Sequence, residues 1–146
     1  MSGLERNGKV HWSDVAVASH RALRSFDEFI QPILVAEGLA DLGVANVLFL
    51  LNVSDGPTRV VDLVREQRYV GSNASYAISA LIEFGLAERH MDPIDKRVRV
   101  IELTPRGRKL ARSVRRVSIG DADEIKRALE AVSAFESRCV PMRAEA

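Results

Sequence analysis

The stretch from Gly71 to Ala111, GSNASYAISALIEFGLAERHMDPIDKRVRVIELTPRGRKLA, constrains the fold more than any other part of the chain. Ser72 is a hydroxyl cap before a short helix whose inner stripe is Ala74, Ala77, Ile78, Leu81 and Ile82, and Gly85 ends it. Two segments of strand composition follow, Leu86 to Met91 and Arg97 to Leu103. Asp92, Pro93, Ile94, Asp95 and Lys96 between them are turn residues. Thr104 before Pro105 then starts a further helix with a hydroxyl cap and proline at its first position, and Leu110, Val114 and Val117 supply its apolar stripe. Helix, strand, turn, strand, helix in that order describes a winged helix.

Charge follows the same segment. Residues 71–119 hold ten Lys and Arg against five Asp and Glu, whereas residues 1–70 and 120–146 each carry two more acidic than basic groups. The net charge of +1 therefore conceals a basic middle between acidic ends. A polyanion responds to the local field, so a near-neutral total does not exclude nucleic acid.

The flanking segments read as helices. Ser13 and Asp14 open a long first helix whose apolar face is Leu23, Phe26, Ile30, Ile33 and Leu34. Pro32 predicts a kink or break inside it, and Gly38 a stop. Asp41 is the expected cap of a second helix with Leu42, Val47, Leu48, Leu50 and Leu51, apolar on most sides and so central to the core. Val60, Val61, Leu63 and Val64 fit a third helix ending near Gln67, with a tight connection over Tyr69, Val70 and Gly71. Beyond Gly120, Asp121 and Glu124 form a capping pair for a sixth helix, with Ile125, Leu129, Val132, Phe135 and Cys139 on one face and Pro141 as its end.

The expected fold is mainly α with a small β-hairpin: a winged helix-turn-helix core plus N- and C-terminal dimerisation helices. It divides into residues 1–40 as the N-terminal dimerisation helix, 41–111 as the DNA-binding lobe, and 112–146 as C-terminal dimerisation helices and tail. Apolar stripes on the first and sixth helices exceed what a winged-helix core needs, and two-fold pairing would bury them. The longest apolar run, Val44 to Val53, is interrupted by Asn46 and Asn52 and is far short of the ~20 residues of a membrane span. Met1 to Lys9 lacks the pattern of a secretory signal, which points to the cytoplasm. Cys139, the one cysteine, has no internal disulfide partner.

A helix that reads bases needs small or hydrogen-bonding groups on its outer face. Ser72, Asn73, Ser75, Tyr76 and Ser79 meet that need, with interchangeable roles among base edges, a thymine methyl and phosphates. A solvated helix face carries such residues too. Lys96, Arg97 and Arg99 on a projecting hairpin suit a neighbouring minor groove, where narrow tracts concentrate negative potential. Asp92 and Asp95 are read as organisers of the wing, since a turn carboxylate accepts backbone amides and fixes a nearby Arg. Arg106, Arg108, Lys109, Arg112, Arg115 and Arg116 cannot all face one way. Arg112, Arg115 and Arg116 are expected to pair with acidic residues of the first and sixth helices.

The run LIEFGLAERHMDPIDKRVRVIELTPRGRKLA resembles the signature of the MarR family of winged-helix transcriptional regulators. Its positions here are Leu81, Gly85, Leu86, Arg89, Asp92, Asp95, Arg97, Leu103, Thr104, Gly107 and Leu110. Pro32 and the YVGSN segment before the recognition helix depart from the usual family choices. The resemblance implies a homodimer on a pseudo-palindromic double-stranded operator, repression as the usual output, and a small-molecule effector of unknown identity. Phe26, Phe29 and Leu48 are candidates for an effector pocket and equally good core residues.

Other function classes fare worse. His11, His20 and His90 are scattered, with no metal-ligand spacing, phosphate loop or nucleophile with its base, so the reading is not an enzyme and no cofactor or metal is expected. A winged helix that binds protein, as an antirepressor or assembly factor, has no need of Lys96, Arg97 and Arg99 on its tip. Cys139 falls on the apolar stripe of the sixth helix with no nearby cationic run to lower its pKa, which favours a buried or interfacial thiol over a redox sensor.

Overall fold

The computed structural model describes residues 11–66, 71–117 and 122–138. The first helix, α1 (Trp12–Ala36), is capped by His11, whose amide donates to the Asp14 carboxylate at 2.9 Å. Asp14 thus serves the helix start, as its position suggested, but the cap residue is His11 and not Ser13. Pro32 lies within α1 without breaking it. The carbonyl one turn earlier, on Glu28, loses its helical donor there.

After α1, the Gly38 amide donates to Val35 and the Leu39 amide to Leu34, closing the helix end. Leu39 and Leu42 are both buried and hold the connection as a turn, the Leu42 amide donating to Leu39. That anchoring moves the start of α2 (Val44–Asn52) downstream of expectation: Gly43 is its cap, and Asp41 stays exposed in the turn. Val47, Phe49 and Leu50 of α2 are fully buried, so this helix occupies the middle of the core.

A two-residue strand, β1 (Thr58–Arg59), precedes α3 (Val60–Glu66). The helix α4 (Gly71–Glu83) follows. Next come β2 (Ala87–Met91), β3 (Arg99–Leu103), α5 (Pro105–Arg115) and α6 (Ala122–Arg138). The sheet has three strands in the order β1-β3-β2, all antiparallel, so the expected hairpin gains a third strand on its inner edge. Thr58 pairs with Ile101 and Arg59 with Val100, while Ala87 to Met91 pair with Leu103 to Arg99. Two residues are too few to show a strand period, which is why β1 was not legible in the sequence.

Ala74, Ala77, Ile78 and Leu81 of α4 are buried against this core, as their spacing requires. Ile82 is not: it is 39% exposed and leaves the inner stripe one residue short. At the end of α4, Gly85 takes φ 69°, and the Leu86 amide reaches back to the Leu81 carbonyl at 2.8 Å. Only glycine adopts that φ cheaply, and the reversal delivers Leu86, fully buried, into the core as β2 begins.

Thr104 joins three elements. Its hydroxyl accepts from the Gly107 amide at 3.1 Å, capping α5, and donates to the Gly85 carbonyl at 2.8 Å. Gly107 itself leaves no room for a side chain: a Cβ there would lie 2.0 Å from the Leu86 carbonyl oxygen. This close approach seats α5 on the end of α4. Leu110, Ala111 and Val114 then bury the inner face of α5.

α6 behaves differently. All of its described side chains are exposed, Leu129 at 63% and Val132 at 48% among them. α1 is likewise open along Trp12, Val17, Leu23, Phe29 and Val35. The expected cap at Asp121 and Glu124, the side chains of Ile125 and Phe135, Gly120, Cys139, Pro141 and the connection at 67–70 lie outside the described residues.

Candidate nucleic-acid interface

The outward face of α4 follows from its packing: with Ala74, Ala77, Ile78 and Leu81 inward, Asn73, Ser75, Tyr76 and Ser79 are all exposed. Tyr76 projects furthest, at 76% exposure. An aromatic phenol on an otherwise small polar face offers both a flat apolar contact and a hydroxyl. Ser72 begins the helix region but its side chain is outside the described residues.

The wing is built around one carboxylate. Among the described residues Asp92 is the only buried charged side chain, at 7% exposure. Its Oδ1 accepts the amides of Ile94 at 2.8 Å and Asp95 at 3.1 Å, and its Oδ2 accepts from Nε of Arg59 at 3.0 Å. The two amides hold the Asp92 carboxyl below its ordinary value, and the Arg59 charge adds to that lowering against the opposing effect of burial. Asp95 takes the next step outward, its Oδ1 accepting the Arg97 amide at 3.1 Å and its carbonyl the Val98 amide at 2.9 Å. The Asp92 amide closes the loop onto the Val98 carbonyl at 3.0 Å.

The two aspartates so orient the backbone of the tip. Arg97 falls in the turn rather than on β3, which begins at Arg99, and Lys96, Arg97 and Arg99 are all exposed. The carboxylates bind amides and Arg59, not the tip cations, so the expected grip of a wing aspartate on a neighbouring tip arginine is replaced by a grip on β1. Arg59 was invisible as a site residue because its partner is 33 positions away.

The basic run of α5 is mostly committed to structure. Arg106 donates to the carbonyls of Phe84 and Glu37, Arg108 to that of Leu103, and Lys109 pairs with Glu37 at 2.8 Å. Arg115 meets the Leu51 carbonyl, the Ser54 hydroxyl and Asp55. For Arg115 the expected acidic partner on the first or sixth helix is thereby corrected: it closes onto the end of α2, one of the elements α5 packs against, while Arg106 and Lys109 earlier in α5 meet the end of α1. Phe26 and Leu48 are partly buried, whereas Phe29 is exposed.

A three-stranded sheet flanked by α3 and α4, with a capped helix leading away from the wing, defines a winged-helix protein. Residues 44–107 match the family described as a winged helix DNA-binding domain, which covers α2 through the first turn of α5. Solved structures share the architecture. A MarR transcriptional regulator from Methanosarcina mazei Go1 aligns with a TM-score of 0.70 over 88% of this chain and 99% of its own, at 19% identity. BldR from Sulfolobus solfataricus aligns at 0.68 over 86% and 91%, with 22% identity. Reduced AbfR, in a structure bound to DNA, aligns at 0.65 over 88% and 92%, with 20% identity. The chain has the winged-helix fold that these structures share. In sequence it is 31% identical over 111 residues to the exopolysaccharide II synthesis transcriptional activator ExpG of Rhizobium meliloti (strain 1021), spanning 76% of this chain and 57% of that relative.

Proposed function

We propose that this protein is a sequence-specific double-stranded DNA-binding transcriptional regulator that acts as a homodimer on a pseudo-palindromic operator. One observation carries the reading. The polar outer face of α4 lies beside a wing whose buried Asp92 orders a projecting cationic tip, an expense of structure with no purpose on an inert surface. In this account Asn73, Ser75, Tyr76 and Ser79, with Ser72 at the helix start, face the major groove. Lys96, Arg97 and Arg99 meet the flanking minor groove and its phosphates.

Pairing is proposed through α1 and α6, which divide the chain into residues 1–40, 41–111 and 112–146 as dimerisation helix, DNA-binding lobe and dimerisation tail. The exposed apolar residues of α1 and the wholly exposed described surface of α6 support it. Doubling the contacts over two half-sites about 10 base pairs apart is how a small reader reaches useful affinity. Repression follows where the operator overlaps the polymerase footprint. The ExpG relative is an activator, and a site beside that footprint would give the same output here. A winged helix that binds only protein would show little salt dependence. Duplex binding measured at several ionic strengths separates the two, and a steep fall of affinity with salt supports DNA.

A further inference from the structure

An open hollow of about 200 Å³ lies where α5 crosses the end of α2, lined by Ser54, Asp55, Arg108, Ala111, Arg112 and Arg115. We infer that this hollow is a binding site for a small polyanion carrying carboxylate or phosphate groups. Three arginines line one hollow with a single carboxylate, and a guanidinium has five N–H donors. Arg115 is anchored through Nη2 alone, to the Leu51 carbonyl at 3.2 Å, the Ser54 hydroxyl at 2.6 Å and Asp55 at 3.5 Å. Arg108 is anchored through Nη1, to the Leu103 carbonyl and to Glu102 at 4.0 Å. Both arginine side chains are therefore held in place with donors to spare, and the Arg112 guanidinium has no hydrogen bond or ion pair to any described residue. Preorganised forks with unspent donors are what planar oxyanions require.

The occupant's size is bounded. The hollow is smaller than the roughly 300–1,000 Å³ of drug-sized pockets, which suits a molecule of few heavy atoms. Asp55 holds the place that a ligand oxyanion would take on Arg115, and its side chain, 88% exposed, is free to leave. The strand register also sets the hollow apart from the wing tip. β1 runs antiparallel to β3, with Thr58 opposite Ile101 and Arg59 opposite Val100. The residues before Thr58 therefore lie toward the Leu103 end, away from Asp92 to Val98. Three residues separate Asp55 from Arg59, which grips the wing through Asp92. Displacing Asp55 would thus alter the lead-in to that grip, a consequence that rests on the DNA-binding reading, whereas the site itself does not.

The test uses the full chain labelled with ¹⁵N, without DNA, titrated with inorganic pyrophosphate and separately with citrate at ionic strength held constant by chloride. The expected result is saturable movement of the Ser54, Asp55 and Arg112 amide signals with at least one probe. Pyrophosphate alone would mark the site as phosphate-binding, and citrate alone as carboxylate-binding. Arg112→Gln should weaken the midpoint by about tenfold or more, as loss of a charge-assisted contact does. Asp55→Asn should tighten it. Movement that never saturates, that gathers at Lys96 and Arg97, or that is unchanged in Arg112→Gln overturns the proposal. So does an Arg112→Gln protein whose slope of log duplex affinity against log salt falls by about 1, because the hollow is then a contact for DNA phosphate. A full chain that binds no duplex, yet saturates with a probe, sinks the function proposed above and leaves this site standing.

Discussion

Arg59 donates through Nε to Oδ2 of Asp92 at 3.0 Å, so the inner edge strand of the sheet holds the base of the wing. The same carboxylate organises the turn through Ile94 and Asp95, and one ionised group therefore joins β1, the turn and the cationic tip. Arg59→Ala should leave the fold intact, since the pair is half exposed on the arginine side and such contacts contribute on the order of 1 kcal/mol or less. Duplex affinity should fall several-fold as the wing loses its preferred orientation. Hydrogen exchange at the Ile94 and Asp95 amides checks the cause: unchanged protection together with lost affinity would mean that Arg59 touches DNA directly.

The Asp92 carboxyl sits below its ordinary value of 3.8, foremost because the Ile94 amide bonds to its charged form. A depressed folded value contributes stability above the unfolded value and loses it as pH falls through the folded one. Wing order should therefore be flat from roughly pH 5 to 8 and decline below about pH 4. Asp92→Asn keeps an oxygen for the amides but removes the titration. The Ile94 protection factor, exchange corrected for its intrinsic pH dependence, should then stay level across the acid range, and a persisting acid transition there would assign it to another group.

How much of this was legible beforehand depends on distance along the chain. The Thr104 and Pro105 helix start, the Gly85 stop and the inward stripe of Ala74, Ala77, Ile78 and Leu81 follow from neighbours within a turn or two, and all appear in the structure. Local signals misled where tertiary anchoring outweighed them. Asp41 is a good cap, but the buried Leu39 and Leu42 take that segment as a turn. Ile82 extends the apolar stripe, yet the core closes before reaching it. Pro32 lies inside an unbroken helix because flanking turns packed through Ile30 and Leu34 carry it. At the site, the aspartates of the turn were readable as organisers, but Arg59 was not, since nothing within its own segment points to a residue 33 positions on.

Gly107 and Thr104 fix how α5 leaves the wing. A Cβ on residue 107 meets the Leu86 carbonyl, a backbone atom that cannot step aside, so Gly107→Ala should cost about 2–4 kcal/mol. Thr104→Val removes both the cap and the bond to Gly85, about 1–2 kcal/mol. Denaturant midpoints of the two variants should rank in that order. A Gly107→Ala protein as stable as the parent would mean that α5 sits further from β2 than described.

Leu129→Glu places a charge on the exposed apolar face of α6. If α6 pairs with a second copy, light scattering on the variant should show a shift from dimer toward monomer, with weaker duplex binding. A variant still dimeric at micromolar concentration would move the interface elsewhere.

Arg97→Ala should weaken duplex binding and reduce the slope of log affinity against log salt by about 1 if the residue meets a phosphate. Asn73→Ala or Ser75→Ala should instead change which sequences are preferred. Equal affinity of parent and Arg97→Ala at every salt concentration would remove the tip from the interface.

Selection of bound sequences from a pool of random duplexes at low ionic strength tests the central claim most directly. The account predicts enrichment of an inverted repeat with half-site centres about 10 base pairs apart. A pool that stays random after repeated rounds, with no retention of any duplex, would contradict it.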